Sequence, residues 1–99
     1  MIDIRLAIIS SHSFKDFSLL SETLNKNKNK IESVAINTTK LGKKWAEKNN
    51  IPIKTYKSDQ LMLDNCDALL AFWDCTSKET FICLSKAQDK NIPVKVIYF

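Results

Sequence analysis

Two short polar stretches hold most of the side chains able to do chemistry. The first is Ser10-Ser11-His12-Ser13-Phe14, where an apolar run stops and the only histidine of the chain appears. The second is Trp73-Asp74-Cys75-Thr76-Ser77-Lys78-Glu79-Thr80. A histidine between serines suggests a base beside a nucleophile. A hydroxyl is activated only by a base within hydrogen-bond reach, however, and neighbours in an extended stretch point apart. These residue types suit binding better. His12 can serve as a polar contact or phosphate partner. Asp74 can accept from a ribose hydroxyl at a strand end, or order the turn in which it stands. Phe14 and Trp73 can sandwich a base, or close the upper edge of the core. Ser77 and Thr80 read as helix-cap groups first and ligand contacts second, with Lys78 between them. Asn37 and Thr38 complete the candidate set. The three cysteines, Cys66, Cys75 and Cys83, show no CxxC or Cys/His ligand spacing. They are expected to be small buried or half-buried hydrophobes, and neither metal nor cofactor is expected.

The elements that must position these residues alternate along the chain. Ile4 to Ser10 is apolar and β-branched, as a strand requires. Ser13 to Asp16 has capping-box spacing, and Phe17, Leu20 and Leu24 follow at helical intervals, predicting a helix to about Lys26. Ile31 to Ile36 is a second strand. Asn37-Thr38-Thr39 offers N-cap oxygens to a second helix whose inner face is Leu41, Trp45 and Ala46. Asn49-Asn50 ends that helix, and Pro52 prevents its return. Ile53 to Tyr56 is a short third strand, and Met62 to Cys66 a turn or single-turn helix. Asp67 to Trp73 is apolar nearly throughout, as a strand covered on both faces should be. Ser77 then opens a third main helix, with Thr80, Cys83, Leu84 and Ala87 on one face. Pro93 introduces a last strand, Val94 to Phe99. This alternation predicts a single α/β domain over residues 1–99, a Rossmann-like three-layer α/β/α unit. Its five-stranded parallel sheet should have the order 3-2-1-4-5. The order reverses between the first and fourth strands, which brings the two polar stretches together at the carboxyl edge.

Composition narrows the function classes. With 44% hydrophobic and 26% charged residues among 99, the chain reads as an ordinary globular domain. No apolar stretch approaches the roughly 20 residues of a membrane span, and no signal peptide is recognised. A cytoplasmic protein without membrane contact is expected. The net charge of +4 is lysine-based, with Arg5 the only arginine. Lysines cluster from Asn25 to Lys30, where they suit a helix C-terminus, and at Lys40, Lys43, Lys44 and Lys48. Without interleaved aromatics or arginines to read bases, nucleic acid is an improbable partner.

The ordered set of residues resembles the small SLOG-superfamily domains of the YspA type, relatives of the cytokinin-activating phosphoribohydrolases. Ser11, Ser13, Phe14 and Asp16 match that family's opening, which has a glycine and an arginine where this chain has Ser10 and His12. The stretch from Leu41 to Tyr56 resembles its second helix and third strand. Asp67, Ala68, Trp73, Asp74, Ser77, Thr80, Ile92 and Pro93 stand where the family pattern puts them. The departures are equally marked. The glycine-rich turn after the second strand is replaced by Ile36-Asn37-Thr38-Thr39-Lys40, glycines expected after Asp74 are Cys75 and Glu79, and Gly42 is the only glycine. Without glycine, the tight nest that grips a pyrophosphate is hard to build, and Glu79 repels anions. The family's catalytic arginine and glutamate map onto no residue here. The resemblance implies non-enzymatic sensing or sequestration of a nucleotide-derived small molecule, in a phage–bacterium conflict setting. The alternatives are a protein–protein interaction module on a degenerate scaffold and a residual nucleotide N-glycosidic hydrolase. A homodimer is also expected, with Trp45 and Tyr98 as anchors.

Overall fold

The computed structural model describes residues 4–99. Strand β1 (Ile4–Ser10) occupies the centre of the sheet, followed in the chain by α1 (Phe17–Asn25), a 3-10 turn (Lys28–Lys30) and β2 (Ile31–Ile36). Then come α2 (Lys40–Lys48), β3 (Ile53–Thr55), α3 (Asp59–Asp64), β4 (Ala68–Trp73), α4 (Lys78–Asp89) and β5 (Val94–Tyr98). The sheet is five-stranded with order β3-β2-β1-β4-β5, and every pairing is parallel, as predicted. Where three main helices were expected there are four. Ser58 accepts a hydrogen bond from the Leu61 N–H and caps α3, burying Met62 and Leu63.

Alternation along the strands divides the core into two halves. Ile8, Val34, Ile36, Leu70 and Phe72 pack under α1 and α2 with Leu20, Leu24, Trp45 and Ala46. Ala7, Ile9, Ala35, Leu69 and Ala71 pack under α3 and α4 with Met62, Leu63, Cys83, Leu84 and Ala87. The predicted inner face of the last helix is therefore correct: Thr80, Cys83, Leu84 and Ala87 are all buried. Trp45 is 1% exposed and donates its indole N–H to Asn25 Oδ1 at 3.1 Å, so it is a core residue and not an interface anchor.

Two further expectations need correction. The N-cap of α1 is Asp16, whose carboxylate accepts from the Leu19 N–H at 3.0 Å, and Ser13 is left free for another role. The lysines after Asn25 do not sit in the last turn of α1, which holds no basic residue; Lys28 and Lys30 form the separate 3-10 turn. On α2, Lys44 and Lys48 lie 4.7 and 5.1 Å from the Phe17 ring centre, a cation–π arrangement that fixes part of the basic face on α1. Among the described residues no helix is long and apolar enough to cross a membrane.

Arg5 ties the two central strands at their amino ends. Its backbone N–H and Nε donate to Asp67 Oδ2, and Nη2 donates to Oδ1 at 3.0 Å. These bonds hold the Asp67 carboxyl below its usual range. The single glycine is a packing device. A Cβ on Gly42 would come within 2.9 Å of Thr39 Cγ2 and 3.2 Å of Ile8 Cγ2, and the Gly42 N–H donates to the capping hydroxyl of Thr39. Alanine in its place gains about 1 kcal/mol of helix propensity, but it pushes against the cap and against β1. Overpacking costs typically ~1–3 kcal/mol, and a lost cap about 1 kcal/mol more. Gly42→Ala is therefore expected to lower stability by about 1–3 kcal/mol in urea denaturation, opposite in sign to the propensity scale.

Candidate functional site

The two polar stretches do meet. Ser11 donates its backbone N–H to Phe72 O at 2.9 Å, and its own carbonyl accepts from the Phe14 N–H at 2.9 Å. The Ser11 hydroxyl lies 3.2 Å from the Thr80 hydroxyl and accepts from the Asp74 N–H at 3.4 Å. Both Ser11 and Thr80 are buried. Ser10 donates to the Thr39 hydroxyl at 2.9 Å, which joins the end of β1 to the cap of α2.

Asp74 organises the rest. Its carboxylate accepts from Ser13 Oγ at 2.7 Å, from the Thr76 and Ser77 N–H groups at 2.9 Å each, and from Ser77 Oγ at 3.2 Å. The Ser13 hydroxyl and then the two backbone amides hold its carboxyl well below the usual carboxylate range. Of its two expected roles, Asp74 fills the turn-ordering one, with both oxygens engaged inside the protein. Because Ser77 Oγ is drawn to Asp74, it does not cap α4, and the first turn of that helix has no side-chain cap. The next residue, Cys75, stands at φ 69°, in the left-handed region that the loop demands where the resemblance places a glycine. It is exposed, whereas Cys66 and Cys83 are buried as expected. Burial pushes the Cys66 thiol up and drives the Cys83 thiol, with Asp59 adding to the effect, up to about 12.

Phe14 and Trp73 do not face one another. Phe14 is 5% exposed and stacks on Phe72 at 4.5 Å, on the α1/α2 side. Trp73, one residue further along β4, packs on the α3/α4 side with Phe81 and Tyr98, and its indole N–H donates to Ser77 O at 3.1 Å. Alternate side chains of a strand leave opposite faces, so no base fits between these two rings.

What remains is a cleft of about 550 Å3 at the carboxyl edge. The ends of β1 and β2 contribute Ser10, Ser11, His12, Asn37 and Thr38, and the start of α4 contributes Ser77, Lys78, Glu79 and Thr80. Asp59, Ile82 and Cys83 also line it and escaped the sequence reading. Asn37 Nδ2 donates to Asp59 Oδ1 at 3.1 Å, an arrangement that only the packing of α3 beside β2 could reveal. His12, 81% exposed, has Nε2 3.2 Å from Glu79 Oε2 and spans from the β1–α1 loop to α4. The serine hydroxyls beside His12 bond to Thr80 and Asp74. Ser13, Phe14, Trp73 and Asp74, expected among the binding residues, do not line the cleft. Among the described residues no three or more His, Cys, Asp and Glu side chains gather as a metal site.

No family model and no curated protein matches this chain. Among solved structures it is similar to UDP-N-acetylglucosamine 3-dehydrogenase GnnA from Acidithiobacillus ferrooxidans in two crystal forms. The TM-scores are 0.60 and 0.58, at 15% and 16% sequence identity. Each match covers 97% of this chain but only 28% or 30% of the dehydrogenase, so the chain spans less than a third of that protein's length. The likeness is one of fold. This is a Rossmann-like fold.

Two expectations follow from the loop. A non-glycine residue in the left-handed region costs about 1–2 kcal/mol, part of which glycine returns through its freer unfolded chain. Cys75→Gly should therefore raise stability by about 1 kcal/mol, measured by urea denaturation. For Asp74, whose folded pKa is depressed, the stabilisation is complete above the unfolded value of about 3.9 and is lost as pH falls through the folded value. Asp74→Asn should therefore unfold more easily than wild type at neutral pH. The two stabilities should converge as pH drops below about 3.9.

Proposed function

We propose that the cleft binds a nucleotide-derived small molecule without turning it over, on a divergent SLOG-type scaffold that senses or sequesters such a signal. The observation that carries this reading is the uncapped first turn of α4 opening onto a cleft of ligand size, bounded across from it by the Asn37–Asp59 pair. Pockets for small molecules span roughly 300–1,000 Å3, and the volume here lies within that range. Amides at a helix N-terminus favour an anionic group, and Lys78 adds a cation beside them. Asp59 and Asn37 offer an acceptor and a carbonyl to the hydroxyl or amino edge of the same ligand. Glu79 weakens the anion end, so affinity for a phosphate falls short of a glycine-built nest. The ordered residue matches from Ser11 to Pro93 support the family assignment.

Calorimetric titration against nucleoside mono- and diphosphates, ADP-ribose and cyclic nucleotides tests the reading. Binding is expected for at least one of them. Lys78→Ala and Asp59→Ala should each weaken it by about 1–2 kcal/mol, and His12→Ala by less, because its ring is largely in solvent. No binding by the wild-type chain to any of these compounds overturns the proposal in favour of a protein-interaction module. Release of free base from a nucleoside monophosphate would instead make the cleft an active site.

A further inference from the structure

Among the described residues β5 is an edge of the sheet, and its hydrogen-bonding groups alternate between the two sides. Leu69 N–H donates to Pro93 O at 2.9 Å, and Phe99 N–H donates to Trp73 O at 3.4 Å. In a parallel ladder the inward-facing residues alternate, so Pro93, Lys95, Ile97 and Phe99 turn their backbone toward β4. Val94, Val96 and Tyr98 therefore present their N–H and C=O groups to the open side, where no strand pairs with them among the described residues.

The three residues whose backbone faces outward, Val94, Val96 and Tyr98, carry aliphatic or aromatic side chains. Val94 and Val96 pack against the α3/α4 half of the core, and Tyr98 is 62% exposed. Its ring lies 6.2 Å from Trp73, which lies 6.0 Å from Phe81, itself 55% exposed. The other edge differs. β3 runs only from Ile53 to Thr55, with Lys54 and Thr55 exposed, the short and charged kind of edge that discourages pairing.

We propose that β5 pairs antiparallel with β5 of a second copy of this chain, about a two-fold axis at Val96. The outward-facing residues are spaced symmetrically around Val96. In that register Val94 pairs with Tyr98 of the second copy and Val96 with its own counterpart. Every outward N–H and C=O then finds a partner. The same register places Lys95 across from Ile97 of the second copy, not across from the other Lys95, so the charge on the strand meets no like charge. Tyr98 covers Val94 of the second copy, and the strips from Phe81 through Trp73 to Tyr98 flank the axis on one face of a continuous sheet. A self-complementary surface of this kind closes as an isologous dimer. The proposal is independent of the ligand reading, since none of these edge residues lines the cleft.

Sedimentation equilibrium of the full chain from about 1 to about 200 µM should show a monomer–dimer equilibrium. Val96→Pro removes an N–H that faces away from β4, so it leaves the β4–β5 ladder intact while breaking the central pair. Tyr98→Lys replaces a ring that is mostly exposed and touches the core only through its edge contact with Trp73. Each should raise the dissociation constant roughly tenfold or more, and Tyr98→Lys should unfold thermally as the wild-type monomer does. Hydrogen exchange reads the register directly. The Val94, Val96 and Tyr98 amides should be protected in concentrated solution and exchange rapidly when dilute, while those of Lys95 and Ile97 stay protected in both. A monomer throughout that range overturns the proposal. So does a dimer in which Val94, Val96 and Tyr98 exchange as fast as in the dilute chain, or one that Tyr98→Lys leaves unchanged.

Discussion

The carboxylate of Asp74 is the constraint on which the carboxyl edge depends. Loops that face a ligand must satisfy their own backbone groups while leaving others open. Glycine-rich loops do so with tight turns, and this chain has no glycine there to use. Asp74 takes over the task by accepting from Ser13 on one loop and from Thr76 and Ser77 on the other. Ser11 completes the join from beneath, through Thr80 and the Asp74 N–H. The consequence reaches the cleft. By claiming the Ser77 hydroxyl, Asp74 leaves the first turn of α4 uncapped, and so creates the polar opening that gives the cleft its chemistry.

The central strands were legible in the sequence because burial on both faces leaves a plain mark. Ala68 to Trp73 is apolar nearly throughout, and Ile31 to Ile36 has the bounds expected of it. Loop adjacency follows from strand order, which sets Ser10, Ser11 and His12 beside Ser77, Lys78 and Thr80, while Asn37 and Thr38, expected only as candidate residues, line the same cleft. The finer geometry was not legible. Which face Phe14 and Trp73 occupy depends on strand parity at the very end of β4, and one residue reverses the answer. Trp45 was expected both on the inner face of α2 and as a dimer anchor; it is buried, and its indole N–H is satisfied by Asn25 on α1, a partner distant in sequence. Asp59 carries no local mark of its place in the cleft, which comes from a contact with Asn37, 22 residues earlier in the chain.

The same logic applies to conformation. Sequence preference disfavours Cys75 in the left-handed region, and the chain adopts it there all the same, since the Asp74 bonds to Thr76 and Ser77 fix the turn around it. A local rule is overridden where side-chain hydrogen bonds over-determine the backbone. Gly42 shows the complementary case, a glycine retained for close approach and not for its dihedral freedom.

The position of β1 has a consequence for how the chain is made. β1 joins β2 on one side, but its other neighbour, β4, lies far along the sequence, as the Arg5–Asp67 contact across a separation of 62 residues shows. During synthesis β1, α1 and β2 can associate while the apolar edge of β1 still waits for β4 to emerge. Non-local pairing of this kind slows folding and leaves strand edges exposed in the interval. Ala68 to Trp73 is itself an uncharged, aggregation-prone stretch until it docks. The newly made chain is therefore most vulnerable between the emergence of β2 and the docking of β4, the window in which a chaperone would have most to protect.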